Sequence, residues 1–582
     1  MAFGEASLAR MRRLTNVIHA RTAGRGKTAV SFTSQPEPRT IGSFSRGRQL
    51  CAGNFMFAGY LVEAPSTSIW DLPIPDAAFE AEIHGFIWLD DLAAVGDGPA
   101  RQRAQDWTHD WVRRFGRGQG PGWSPDLTGR RLIRWINHAI FLLNGQEKAA
   151  SDAFFSSLSR QTNYLARRWR TASKGLPRFE ALTGLIYSGL ALDGMEDHVD
   201  PIVKTLAQEC ADQVDGEGGI PTRNPEELLE VFTLLNWAVA ALEDTGKTPG
   251  AHHLAAIERI APALRALRHT DGSLARFHGG GRGMDGKLDQ SLATSGVRRL
   301  KKKGLAMGFA RLANGRTSII VDAASPPKGR NSANAHASTL AFELTSGRRP
   351  VIVNCGSGVS FGTTWRRAGR ATPSHSTLGI EGFSSSRLGD PRRVRGRETE
   401  LLIEAPENVR AEVRESEDGS EFVSGHGGYS RTHGLTHVRK LMLSVDGRSL
   451  GGEDTLVTLD KADEGRFDKV FDASMLQGIP FHIRFHLHPD VDAEIDLGGS
   501  TVSLELKSGE VWVFQHSGRA RLSLEQSVFL ERGRLAPRVT QQIVLSSAAM
   551  DYATRVSWTL AKTQDTPSNI RDLVYEDALA IE

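Results

Sequence analysis

The chain has 582 residues, more than a single hydrophobic core usually supports, so at least two domains are expected. Hydrophobic residues at 40% and charged residues at 24% exclude a disordered or fibrous chain. The 71 basic and 68 acidic residues leave a formal charge of +3, so the total gives nucleic-acid binding no support and any positive surface must be a local patch.

Residues 1–50 are rich in Arg, Ser, Thr and Gly and read as an irregular N-terminal arm. Arg10, Arg12 and Arg13 are not followed by the apolar core of a signal peptide, which predicts a cytoplasmic protein. The apolar run 55–62 is too short to cross a bilayer, and no stretch of roughly 20 apolar residues occurs elsewhere, so no membrane span is expected. Cys51, Cys210 and Cys355 are far apart and form no C-x-x-C pair, so they read as buried thiols and not as a thiolate zinc site.

From about residue 83 to 267 apolar residues recur at helical spacing, as in Trp107, Trp111 and Phe115, or Leu132, Trp135, Ile136 and Ala139. Further helices are predicted over 153–171, 178–192, 201–212, 225–244 and 252–267, with short Gly- or Pro-marked connectors that suit helical hairpins in a ring. The Gly-rich stretch 271–298 reads as a long loop and as the domain boundary. Beyond residue 304 the texture changes to short β-branched or alternating runs, at 317–321, 339–344, 350–353, 400–403, 436–443, 481–487 and 511–515, which predict an antiparallel sandwich. The expected organisation is an arm (1–50), an (α/α) incomplete toroid (51–298) and an antiparallel β-sandwich (299–582), a multi-domain α+β chain.

Three stretches carry a resemblance. Ala335-His336-Ala337-Ser338-Thr339 is similar to a His-Ala-Asp strand, Val353-Asn354-Cys355-Gly356 stands in the position of an Asp-x-Gly turn, and Ser374-His375-Ser376-Thr377 is similar to a His-Asn-Thr strand entry. With 83–89 and 130–135 in the helical part, their order resembles that of the heparinase II/III-like polysaccharide lyases. The resemblance implies β-elimination on an acidic, uronate-containing polysaccharide: the C5 proton goes to a base and the O4 leaving group receives a proton, in a cleft between the domains. It implies His336 and His375 as catalytic groups, no required cofactor, and a structural zinc on His336 and His375, with Asn354 as a weak third donor. It also implies the periplasm or cell envelope as an alternative compartment.

The chain departs from that pattern in the helical half. Gly175 to Glu180 stands where relatives carry an Asn-His pair, and Glu227 stands where they carry a Tyr after an Arg-Ser-Pro triplet, the matching stretch here being Arg223-Asn224-Pro225. Tyr429 and Tyr187 are the candidate replacements for the missing tyrosine base, each equally readable as a packing residue. Arg178 can pair a substrate carboxylate, or a nearby acid of its own chain. Arg276 and His278, in a loop with three successive glycines, together with Arg366, Arg367 and Arg370, are candidate walls of an anionic-sugar cleft, or surface ion pairs. In 481–488 alternation places His482, Arg484, His486 and His488 on one strand face, read as a polar outer face. Three functions follow: a lyase, a glycan-binding protein that has lost the base, or a glycan hydrolase using Glu180 and Glu227. No P-loop, dinucleotide fingerprint or Gly-x-Ser-x-Gly elbow is present.

Overall fold

A computed structural model describes residues 2–34, 37–300, 304–394, 397–496 and 498–563. The first helix, α1 (Ala2–Ala23), lies where the sequence reads as irregular, and its buried Ala20 and Ala23 seat it on the helical domain. Helices α2 (Phe44–Ala52), α3 (Ala77–His84), α4 (Ile87–Val95) and α5 (Gly98–Phe115) follow, with a hairpin at Asn54–Phe57 and Tyr60–Glu63. The helical run predicted around 132–143 is two helices, α6 (Pro125–Asn137) and α7 (Ala139–Leu143), broken at His138. Helices α8 (Lys148–Arg168), α9 (Leu176–Ala191), α10 (Val199–Gln213), α11 (Pro225–Asp244) and α12 (Ala251–Ala266) match the predicted segments. A short helix, α13 (Lys287–Thr294), lies inside the stretch that reads as a loop.

The glycines of the helical half have packing consequences. A Cβ on Gly129 of α6 would lie 2.2 Å from the Glu180 carbonyl oxygen, and one on Gly184 of α9 would lie 2.5 Å from the Gly129 Cα. The two helices therefore touch backbone to backbone, which only glycine permits. The segment before α2 crosses the C-terminal ends of three helices. Thr33 N–H donates to the Ala191 carbonyl of α9, Arg39 pairs with Asp244 of α11, and Thr40 Oγ1 lies 3.2 Å from His138 Nε2 beyond α6. An Asn224 side chain that accepts from Glu226 and Glu227 N–H, followed by Pro225, fixes the start of α11.

The sandwich has two antiparallel eight-stranded sheets. The first runs Arg521–Phe529, Arg538–Ala549, Ile479–Leu487, Arg349–Val353, Phe342–Ser346, Thr317–Asp322, Phe309–Asn314, with Leu378–Ile380 also paired to Ile479–Leu487. The second runs Arg410–Ser416, Gly419–Tyr429, Leu435–Ser444, Ser449–Val457, Ala553–Lys562, Val511–Ser517, Thr501–Leu506, Val491–Asp496. Phe342, Phe485, Phe514 and Trp558 meet between them. The first sheet also borders the helical domain: Phe309, Ile320 and Ala341 belong to the same buried cluster as the helices. The two domains thus share apolar packing at their seam. The end of the predicted sandwich span, 564–582, lies outside the described residues.

Candidate functional site

The seam is built around a buried polar chain. Arg223, in the left-handed region at φ 50°, donates to the carbonyls of Met307, Gly308, Ala324 and Ser325 and to Asp322 Oδ1 at 2.6 Å. Asp322 also accepts from Ser338 Oγ at 2.7 Å, and its Oδ2 lies 3.4 Å from His278 Nε2. His336 N–H donates to His278 Nδ1 at 3.2 Å, and His336 Nδ1 is 3.0 Å from His375 Nε2. A carbonyl can only accept, so the 2.9 Å contact of His375 Nδ1 with the Ala371 oxygen assigns that nitrogen the proton. His375 Nε2 is then the acceptor and His336 Nδ1 its donor, which leaves the lone pair of His336 on Nε2. Burial pushes His278 and His336 well below the usual histidine range and His375 down to about 4, so all three are neutral at pH 7.

The structure brings His336 and His375 together, as the resemblance implies, but encloses them at 3% and 1% exposure. Tyr429 is not with them: it is fully buried, its hydroxyl donates to the Leu378 carbonyl at 3.2 Å, and burial raises its pKa. Tyr187 is buried in α9. The candidate arginines are largely occupied by the protein. Arg178 donates to Glu209 Oε2 and to the Arg170 and Ala172 carbonyls. Arg370 is buried and donates to the carbonyls of Ala335, Glu400 and Ser332. Arg366 donates to Ala333 O and Asn334 Oδ1, Arg367 pairs with Glu400, and Arg276 lies over the Phe529 ring at 5.3 Å.

The donor set does not suit a zinc ion. His336 and His375 hydrogen-bond to each other, Asn354 Oδ1 accepts from Ser376 N–H at 3.0 Å, and no carboxylate joins them. Among the described residues no group of three or more His, Cys, Asp and Glu side chains is placed to hold a metal. Elsewhere the sequence reading needs correction. His486 and His488 are buried, not on a polar outer face: His486 contacts Ser527 Oγ and the Pro373 carbonyl, because the loop 371–377 covers that side of the strand. Of the three thiols, Cys210 and Cys355 are buried, whereas Cys51 is half-buried.

Further ion pairs lie among the helices and across the seam, and Glu180, one of the two carboxylates of the hydrolase reading, belongs to one of them. Arg130 and Arg134, one turn apart on α6, pair with Glu180 of α9 (2.5 Å) and Asp90 of α4 (2.8 Å). Lys287 reaches both oxygens of Glu230, at 2.5 and 2.6 Å. Arg532 of the sandwich crosses to Glu226 of α11 at 2.9 Å, and Glu226 also accepts from Gly281 N–H. Arg130 and Glu230 are 32% and 39% exposed, and loss of hydration is the largest influence on both. Burial raises Glu180 to about 7 against the pull of Arg130, and raises Glu227. The i, i+4 spacing of Arg130 and Arg134 was visible in the sequence; their acidic partners, distant along the chain, were not. A separate cavity of about 660 Å³ lies under the arm at the other end of α6, lined by Thr40, Asp90, Asn137, His138 and Phe141 among others, and contains none of these histidines of the seam.

A ring of helices set against a two-sheet sandwich is the architecture of polysaccharide lyases such as heparinase III and chondroitinase AC lyase. The Heparinase II/III-like, C-terminal family model matches residues 296–559, and FtsZ-localized protein C of Caulobacter vibrioides is 30% identical over 504 residues, 85% of this chain and 84% of that one. This chain belongs to the heparinase II/III-like family. Among solved structures, heparinase III superposes with a TM-score of 0.68 at 13% identity, covering 93% of this chain and 88% of that one. Heparan sulfate lyase HepC from Pedobacter heparinus, in a mutant form, gives 0.56 at 14% (94% and 87%), and chondroitinase AC lyase 0.52 at 10% (94% and 82%). At such identities these structures share the fold with this chain, not its chemistry. No described helix is long and apolar enough to cross a membrane.

Proposed function

We propose that this chain keeps the lyase architecture as a glycan-binding protein and does not perform β-elimination, that it works in the cytoplasm, and that it localises with FtsZ, as the name of its Caulobacter relative, FtsZ-localized protein C, says of that protein. The observation that carries this reading is the enclosure of His336 and His375, neutral and hydrogen-bonded into the seam, with Tyr429 held in the sandwich core. β-Elimination needs a base within hydrogen-bond reach of a sugar C5 proton and a cation or donor for the uronate. Arg178 and Arg370 instead hold backbone carbonyls, and Glu227 is an acid where the resemblance expects a Tyr.

A second reading, a working lyase, is favoured by the tautomer that leaves a lone pair on His336 Nε2. Ultraviolet absorbance in the band of unsaturated uronates, followed during incubation with a panel of uronate polysaccharides, separates the two. No rise, with glycan binding detectable by calorimetry, is expected. A rise that disappears in His336→Ala would overturn the proposal. A fluorescent fusion expressed beside labelled FtsZ tests the location, and an even distribution through the cell would count against it.

A further inference from the structure

The cavity of about 660 Å³ at the C-terminal end of α6 stands apart from the seam, and its size falls in the range of roughly 300–1,000 Å³ usual for small-molecule sites. Three stretches line it: Pro38, Thr40 and Gly42 of the segment before α2, Ala93 and Ala94 of α4, and Asn137, Ile140 and Phe141 around the break between α6 and α7. A Cβ on Gly42 would lie 1.9 Å from the Asp90 carbonyl oxygen, so backbone contact holds that segment against α4 and the cavity is pre-formed.

Two polar side chains of this lining are not used by the fold. Asn137 is 1% exposed, and neither its Oδ1 nor its Nδ2 has a hydrogen-bond partner. Burial of a whole carboxamide unpaired is costly, and a leucine of similar size would avoid the cost. Arg101 of α5 also lines the cavity, and among the described residues it forms no ion pair. The other charges of the lining are met within the protein. Asp90 is held by Arg134 at 2.8 Å and by His138 at 2.9 Å, and His138 also touches Thr40. Glu37, exposed to solvent, lies 4.0 Å from Arg39. The cavity thus offers one unmatched positive charge, one donor–acceptor amide and an apolar surface to which Ile140, 70% exposed, belongs.

We infer that this cavity is a second binding site, for a short peptide with a free C-terminal carboxylate and an apolar last residue. Arg101 takes the carboxylate through charge-assisted hydrogen bonds, Asn137 pairs with the last amide group, and Ala93, Ala94, Ile140 and Phe141 cover the side chain. A single guanidinium matches the single charge of a carboxylate, whereas a phosphate dianion would leave one charge uncompensated. The site is independent of the glycan-binding reading of the seam.

Titration calorimetry of the full chain with N-acetyl-alanyl-leucine and with its C-terminal amide tests the assignment. The acid should bind about tenfold or more tightly than the amide, the size expected for a charge-assisted hydrogen bond. Arg101→Met should bring the acid down to the level of the amide and leave the melting temperature unchanged. Asn137→Leu should abolish binding of both probes and raise the melting temperature of the unliganded protein, because it removes a buried amide that the fold does not satisfy. That rise is the result a merely structural asparagine would not give. A melting temperature lowered by Asn137→Leu shows that the amide serves the fold and overturns the inference. Equal affinity for acid and amide in the unaltered protein, or binding of neither, overturns it as well.

Discussion

Asp454 accepts four hydrogen bonds in the interior of the sandwich. It accepts from His437 Nε2, from Arg439 Nε and Nη2, and from Trp558 Nε1, all fully or almost fully buried. Arg439 in turn donates to the Leu340 and Ser376 carbonyls, so one anion orders the two segments that carry His336 and His375. Burial alone would raise its pKa; the Arg439 guanidinium and the His437 hydrogen bond overcome this and hold it well below the carboxylate range. Asp454→Ala leaves Arg439 buried and uncompensated and should cost about 3–5 kcal/mol in urea unfolding. Because the folded pKa is depressed, the contribution is present above the unfolded value near 4 and is lost as pH falls through the folded one. The histidines act higher on the scale: burial pushes His84 and His486 down to about 3 and His253 and His375 to about 4. The unfolded chain takes up these protons first, so stability should begin to fall below about pH 6.5, by roughly 1.4 kcal/mol per pH unit for each histidine. A melting temperature constant from pH 7 to 5 would contradict it.

At the scale of elements, α6 and α9 are set by Gly129 and Gly184. Gly129→Ala would drive a methyl into the Glu180 carbonyl, separate the helices and displace the Arg130–Glu180 pair; a loss of about 1–3 kcal/mol is expected, read as a lower melting temperature. Helix positions were readable because each has an apolar stripe of period 3.6 and a cap or proline at its start, as at Asn224-Pro225. Helix α13 escaped notice because glycines surround its eight residues, and the break at His138 because the apolar pattern runs on through it. Arrangement of the site was less readable. Sequence order placed His336 and His375 together, but their enclosure depends on Arg223, His278 and Asp322, which only the fold makes neighbours. His486 and His488 alternate as surface residues do; a loop and a neighbouring strand cover them.

For the whole molecule the seam determines whether the two domains behave as one. Phe309, Ile320 and Ala341 pack with the helices, His269 bridges Ser318 and Glu343, and Arg223 binds four carbonyls and an aspartate of the sandwich side. Unfolding should therefore be a single transition by circular dichroism and tryptophan fluorescence alike. Arg223→Ala, which leaves Asp322 buried without its cation, should separate it into two, with faster amide exchange in 305–325 than in the core strands.

The segment that crosses the ends of α6, α9 and α11 has a consequence during synthesis. Thr33 and Arg39 leave the ribosome before their partners at the ends of α9 and α11, and Asp244 follows Arg39 about 205 residues later, roughly 10 to 40 s at ordinary elongation rates. For that interval the nascent ring has no strap across its base, so the half-made helical domain is the stage at which a chaperone or a protease would find this protein.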